Sequence, residues 1–277
     1  MANDPYREFR QAVDRPEEQI DLGRAALAIA LPEYPGLDIA ATLGRLDGLA
    51  LEVAECAGRD ADPLRSIAAL NLVLFARHGF CGNRDDYYDP KNSFLNEVIE
   101  RKTGIPITLS VLYMEVARRV GVRVAGVGFP GHFLVKTQAG GNDIVIDPFN
   151  RGEIKSAEDL DAMLQQMSGG QLGLRGEFLA PLSKPQILTR MLANLKAIYA
   201  NANDAVKTLA TLDRLLILDP ASLADIRERA VIYTRLDCCS QAKDDFERYL
   251  ELAPDAPDAA AIRAQLVELA ARTVLIH

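Results

Sequence analysis

Cysteine and histidine are scarce in this chain, and the scarcity narrows its chemistry. Only four of 277 residues are cysteine. Two of them, Cys238 and Cys239, are adjacent, so the set does not make a disulfide framework. The three histidines are His78, His132 and His277. None stands at ligand spacing from another histidine or from a CxxC, so neither a metal nor a cofactor is expected. Positive charge is also in short supply: 31 Lys and Arg against 39 Asp and Glu leave a net charge of −8. That balance argues against general binding to nucleic-acid phosphates or anionic lipid. No apolar run approaches the length of a membrane span. The opening MANDPYREFR is unlike a secretory signal. Together these absences predict a soluble, cytoplasmic protein.

With 49% apolar and 25% charged residues, the composition is globular, and the length suits one large or two moderate domains. The first 90 residues read as helical. One helix is expected over residues 17–31, ended by PEYPG. A second is expected over 38–57, with Leu43, Leu46, Leu49 and Val53 at helical spacing, and a third over 63–77, opened by Asp62 and Pro63. GFCGNRDDYYDPKNS reads as a long irregular segment, with Asp85 and Asp86 solvated. Asn92 or Ser93 is expected to cap a helix ending at Thr103–Gly104.

The stretch from Asn92 to Asn150 carries the strongest signal. From Ile107 to Val120 the apolar residues occupy more than one helical face, which marks a buried helix. Pro106 suits its first position. Arg118 and Arg119 suit its C-terminus, and Gly121 can stop it. Strands are expected over 122–127, 132–137 and 143–147, the last two forming a hairpin about QAGGN. Antiparallel pairing there sets His132 opposite Asp147, Phe133 opposite Ile146, Leu134 opposite Val145 and Lys136 opposite Asp143. A carboxylate in that place can fix the tautomer of the imidazole. The same pair also serves simply to satisfy two partly buried polar groups. Gly126, Gly128 and Gly131 spell GxGxxG, but a dinucleotide loop must run from strand into helix, and a strand pattern follows here instead. His78 is expected to meet the last carbonyls of its own helix.

Residues 151–181 read as a connector with a short helix capped by Ser156 and Asp159, ending near Met167. Beyond it a period of 34 appears. Tyr199 recurs as Tyr233, Leu212 as Phe246, Arg214 as Arg248, Leu216 as Leu250, Leu218 as Leu252 and Pro220 as Pro254. That is the tetratricopeptide length. A last helix is expected from Pro257 to Leu275. Such helix pairs form concave binding surfaces, so a protein or peptide partner is expected there. Cys238 and Cys239 are expected to pack rather than react.

The order helix, strand, HFLV, strand, DP resembles the transglutaminase-like core of cysteine transglutaminases and related proteases. PxNSFLNxVIERxxGIPITLSxLYxEVARRxG and GFPGHFLV resemble more closely the bacterial SirB-type family, which couples such a core to tetratricopeptide repeats. The resemblance implies an α+β protein. Residues 1–181 would hold a helical N-terminal part packed with the core, a central helix plus a small antiparallel sheet. Residues 182–277 would be all-α and repeat-like. The transglutaminase pattern further implies a Cys opening the core helix, a His beginning a later strand and an Asp ending the next. His132 and Asp147 match the last two, while the Cys position falls on Pro106.

Proline supplies neither a nucleophile nor an N–H. Thr108 and Ser110 are the nearby hydroxyls, expected as a first-turn polar group and a hydroxyl bonded back to a carbonyl. Two functions follow. One is a non-catalytic module on a repeat scaffold, regulatory in bacteria by resemblance. The other is a hydrolase of amide or ester bonds, with His132 as base, Asp147 orienting it, and water, Ser110 or Cys81 as nucleophile.

Overall fold

The computed structural model describes residues 5–59 and 61–274. Leu275, the expected last residue of the final helix, and His277 lie outside them. The chain divides into two compact units, 1–191 and 192–277.

The first unit opens with helices whose starts are fixed by aspartate. After α1 (Arg7–Val13) come α2 (Leu22–Ala28), α3 (Ile39–Ala57) and α4 (Pro63–Asn71). Asp21, Asp38 and Asp62 accept hydrogen bonds from the N–H groups of Arg24, Ala41 and Arg65, satisfying donors that a helix start leaves unpaired. Asp21 explains why the helix expected over 17–31 is interrupted. A 3-10 turn, Glu17–Gln19, precedes it, and α2 begins only after the cap. The third expected helix is α only to Asn71; Leu72–Arg77 is wound as a π-helix.

The segment read as irregular contains β1 (Cys81–Gly82) and a 3-10 turn, Pro90–Ser93. It leads into α5 (Leu95–Arg101) and β2 (Thr103–Gly104), which pairs parallel with β1. Neither Asn92 nor Ser93 caps α5. Its N-cap is Phe94, with no side-chain bond. Asn92 instead turns into the loop, donating to the carbonyls of Asp86 and Tyr87 and receiving a bond from Asn83.

α6 (Pro106–Arg119) is the centre of the unit, with Pro106 at its first turn and eleven of its residues buried. It packs on α2, α3, α4 and α5 and on the sheet. Each fully buried Leu or Val there contributes about 1.5–3 kcal/mol. Glu115 is buried at 2% exposure among them. Arg118 and Arg119 bond its Oε2 at 2.9 and 2.7 Å. The two arginines therefore do more than suit the helix end.

The sheet has the order β3 (Ala125–Val127), β4 (Leu134–Ala139), β5 (Asn142–Asp147) and β6 (Glu153–Lys155), antiparallel throughout. The first strand is shorter than the expected 122–127. The hairpin register differs by two residues from the sequence expectation. Lys136 lies opposite Val145 and Gln138 opposite Asp143. The reason is the turn. Gly140 and Gly141 both have positive φ, which closes the hairpin in two residues rather than four. A two-residue slip preserves the faces, and Lys136 still reaches Asp143 diagonally at 3.1 Å. α7 (Ala157–Ser168) begins at Ser156 with the expected capping box.

α8 (Lys184–Asn201) is followed by α9 (Ala205–Leu218), α10 (Leu223–Arg235), α11 (Cys239–Leu252) and α12 (Ala259–Val274). The period of 34 is visible in the boundaries. α8 and α10 end 34 residues apart, and α9 and α11 begin and end 34 apart. Two non-glycine residues with positive φ, Asn203 and Asp237, keep the same interval. Within the second unit, Phe246, Ile226 and Ala230 form the centre of the core. Arg229 joins Asp213 and Asp245 at 2.7 and 2.6 Å. A cavity of about 810 Å³ opens among Ala200, Thr208, Arg227, Val231 and Arg235.

Candidate functional site

Asp147 ends β5 with no exposed surface. It caps the 3-10 turn Pro148–Asn150. The Asn150 N–H donates to its Oδ1 at 3.2 Å, and the Asn150 side-chain amide donates to Oδ2 at 2.7 Å. His132 sits in the bend before β4, its side chain 13% exposed. Its Nε2 lies 3.1 and 3.0 Å from the two carboxylate oxygens. The pair expected from the hairpin therefore meets, although its members are not cross-strand partners. The imidazole reaches Asp147 from two residues before the strand begins. Burial pushes the Asp147 carboxyl up. The hydrogen bond and charge of His132 and the two bonds from Asn150 outweigh it and hold the pKa below the ordinary carboxylate value. With Nε2 committed to Asp147, Nδ1 makes no hydrogen bond among the described residues.

Sequence reasoning allowed the loop before β2 to cover this end of the sheet but named none of the side chains that touch the pair. Phe149 stands edge-on to the imidazole, with ring centroids 5.8 Å apart. Tyr87 meets the same ring at 6.2 Å, and the Arg84 guanidinium lies 5.5 Å from its centroid. Arg84 also bonds Asn150 Oδ1. The loop holding Cys81, Arg84 and Tyr87 thus lies against the turn that presents Asp147. The DPFN spacing was the available signal for Asn150, because an aspartate followed two or three residues on by a bonded N–H is a common turn device.

The nucleophile candidates fare differently. Gly82 lies against Phe149 so closely that a Cβ would collide with the ring. Alternation along a strand turns the neighbouring Cys81 side chain to the other face. Cys81 is partly exposed, and among the described residues it makes no hydrogen bond to His132. Ser110 is fully buried, and its hydroxyl has no hydrogen-bond partner among the described residues. The expected bond back to a helix carbonyl is not formed. Thr108 takes the first-turn role, donating to the Asn92 carbonyl at 2.6 Å and accepting from the Ile105 N–H, with the Ile105 carbonyl 3.1 Å away. Pro106 is buried at the head of α6. His78 bonds Glu52 at 2.9 Å through Nε2 rather than its helix carbonyls.

The three glycines before His132 serve close packing. A Cβ on Gly126 would meet the Phe133 ring at 2.9 Å, one on Gly128 would meet Arg190, and one on Gly131 would meet Met167. No cluster of His, Cys, Asp or Glu suited to a metal occurs among the described residues. A cleft of the first unit, about 1190 Å³ and lined in part by Met114, Arg118, Arg123, Lys136 and Lys184, does not include His132. None of the described helices is long and apolar enough to cross a membrane.

Residues 40–193 match the transglutaminase-like superfamily, and residues 195–267 match the tetratricopeptide repeat. A UPF0162 protein of Xylella fastidiosa (strain 9a5c) is 39% identical over 94% of each chain. UPF0162 protein PA3419 of Pseudomonas aeruginosa is 30% identical over 93% of this chain and 94% of its own. F-box only protein 21 of Mus musculus is 34% identical over 46% of this chain and 21% of its own length. With a core spanning more than half its length and relatives matched almost end to end, this chain belongs to the transglutaminase-like superfamily and, within it, to the UPF0162 proteins, with tetratricopeptide repeats following the core.

Proposed function

We propose that this chain is a non-catalytic transglutaminase-like module whose repeat region binds a protein or peptide partner. The observation that carries the reading is Pro106, buried at the first turn of α6. The resemblance to the cysteine transglutaminases puts the attacking cysteine of that superfamily at this position. His132 and Asp147 keep their mutual bond with no hydroxyl or thiol bonded to the imidazole among the described residues. Tetratricopeptide helix pairs present concave binding surfaces, and the cavity among Thr208, Val231 and Arg235 supplies one. By resemblance to the SirB-type family the role is regulatory in bacteria, and the composition, with its negative net charge, favours the cytoplasm as the site of action.

A second reading rests on the intact pair itself. A base needs only hydrogen-bond reach to a water, so His132 with Asp147 retains the elements of an amide or ester hydrolase. The test uses the full chain in three forms: wild type, Val231→Glu in the repeat cavity, and His132→Ala. A partner captured from native lysate by wild type and His132→Ala, but lost in Val231→Glu, supports the scaffold. A covalent adduct from a fluorophosphonate or vinyl sulfone probe, formed on a side chain beside His132 and lost in His132→Ala, overturns it in favour of the hydrolase.

A further inference from the structure

Arg190, on the first half of α8, makes three contacts with the backbone and rings that carry His132. Its Nη2 donates to the His132 carbonyl at 3.2 Å. Its guanidinium carbon stands 5.4 Å from the centroid of the buried Phe133 ring. Its Nη1 fills the space beside Gly128 that a Cβ would occupy. No carboxylate pairs with this guanidinium among the described residues. Burial alone moves its pKa, downward, with no acid to oppose it. This is unusual for a half-buried cation, because removing charge from water costs free energy that a counter-charge normally offsets. Four other cations that burial penalises each have an acid nearby: Glu115 for Arg118, Asp213 and Asp245 for Arg229, Asp225 and Glu228 for Lys196, and Glu100 and Glu52 for Lys102.

We propose that Arg190 is a carboxylate-binding residue of the His132 site, supplying the recognition charge for an acidic peptide ligand. A guanidinium carries five donors in a planar fork that matches a carboxylate in two-point geometry. The His132 carbonyl takes one of them. Arg190 is also the only lysine or arginine in bonding or ring contact with residues 128–133 among the described residues. One cation suits a singly charged carboxylate better than a phosphate dianion, which is ordinarily met by a cluster. The Phe133 ring beneath the guanidinium is buried, so the ion pair forms against a poorly hydrated wall, where it is screened less than at an open surface. The proposal extends the binding reading to the core and adds the chemistry of what is bound. It does not depend on the repeat cavity.

The test uses the full chain with histidine and arginine side chains isotopically labelled for NMR, and N-acetylglycine as the probe. Saturable shifts of the His132 Cε1–H and the Arg190 Nε–H are expected, with a Kd on the order of millimolar. N-acetylglycinamide, which lacks the charge, should not produce them. Arg190→Gln should weaken the probe about tenfold or more, the loss of a charge-assisted bond, and Arg190→Lys should fall between. Gly128→Ala is the second variant. Its backbone φ is not in the left-handed region, and the new Cβ meets only the ends of the Arg190 and Leu182 side chains, so it displaces the guanidinium and should weaken the probe without removing charge. The proposal is overturned if the amide shifts the same signals equally, if wild type shows no saturable shift, or if folded Arg190→Gln binds like wild type. Tighter binding of inorganic phosphate than of N-acetylglycine also overturns it. Loss of partner capture in Val231→Glu with carboxylate binding intact leaves it standing, so the two readings fail separately.

Discussion

Removing Asp147 should cost far more than removing His132, although the two are bonded to each other. Asp147 is the acceptor for three donors: the imidazole and both N–H groups of Asn150. Asp147→Ala strands all three in a buried place, and breaking a buried, charge-assisted set of this kind costs about 3–5 kcal/mol. His132→Ala leaves the carboxylate its two Asn150 bonds, so the cost should be nearer ~1–2 kcal/mol. pH provides a second check. The Asp147 pKa is held below its ordinary 3.8. The unfolded chain therefore takes up this proton first as pH falls. The stabilisation is complete at neutral pH, begins to fade near 3.8, and is gone once pH passes below the folded value. Asp147→Asn should be less stable than wild type at pH 7, and the difference should shrink through that acid window. Urea unfolding followed by far-UV circular dichroism gives the stabilities, since the chain has no tryptophan to report by fluorescence. Exchange of the Asn150 amide gives the local reading. If His132→Ala destabilises as much as Asp147→Ala, or the Asp147→Asn difference is flat from pH 7 to pH 2, the carboxylate is not the hub of this site.

Four further outcomes follow from particular contacts. Gly82→Ala should destabilise by about 1–3 kcal/mol and move the Phe149 ring resonances, because its Cβ collides with that ring; unchanged Phe149 signals would refute the packing. Gly152→Ala combines a positive φ of 76° with collisions against Asn71 and Phe75, and should lower the thermal midpoint more than Gly140→Ala, which has open space. In the repeats, Arg229→Ala leaves Asp245, 4% exposed, without its cation and should cost about 3–5 kcal/mol by urea unfolding of the second unit. Pro106→Cys should fold with little loss, since the first helical position donates no intrahelical bond. Its thiol should be alkylated by iodoacetamide more slowly once His132 is also replaced; equal rates would show that the two side chains do not communicate.

Much of the site was legible because it rests on local chemistry. HFLV, a glycine turn and DIVID place a histidine and an aspartate at one end of a hairpin, whichever even register the strands adopt. The register itself was misread because two adjacent glycines can close the turn unaided, and nothing in QAGGN announces whether the flanking residues join the strands. Arg84, Phe149 and Arg190 were invisible for a different reason. They reach the site from a loop, a 3-10 turn and a distant helix, and their contacts are tertiary. Ser110 shows the opposite failure: a helix hydroxyl normally bonds back to a carbonyl, yet this one does not. The repeats were the easiest part, since a period carries its own check. Tyr199 on Tyr233 and Pro220 on Pro254 foretold boundaries that recur at the same interval.

Asn203 and Asp237 occupy matching corners between helices, both in a backbone state that disfavours ordinary side chains. Each corner is thus a standard joint, set by its own short sequence rather than by its place in the array. A joint of that kind makes length negotiable. Duplicating the stretch from Asp204 to Asp237 would hand the next helix the geometry its predecessor received, and the helical array could lengthen by one module without redesign of the rest.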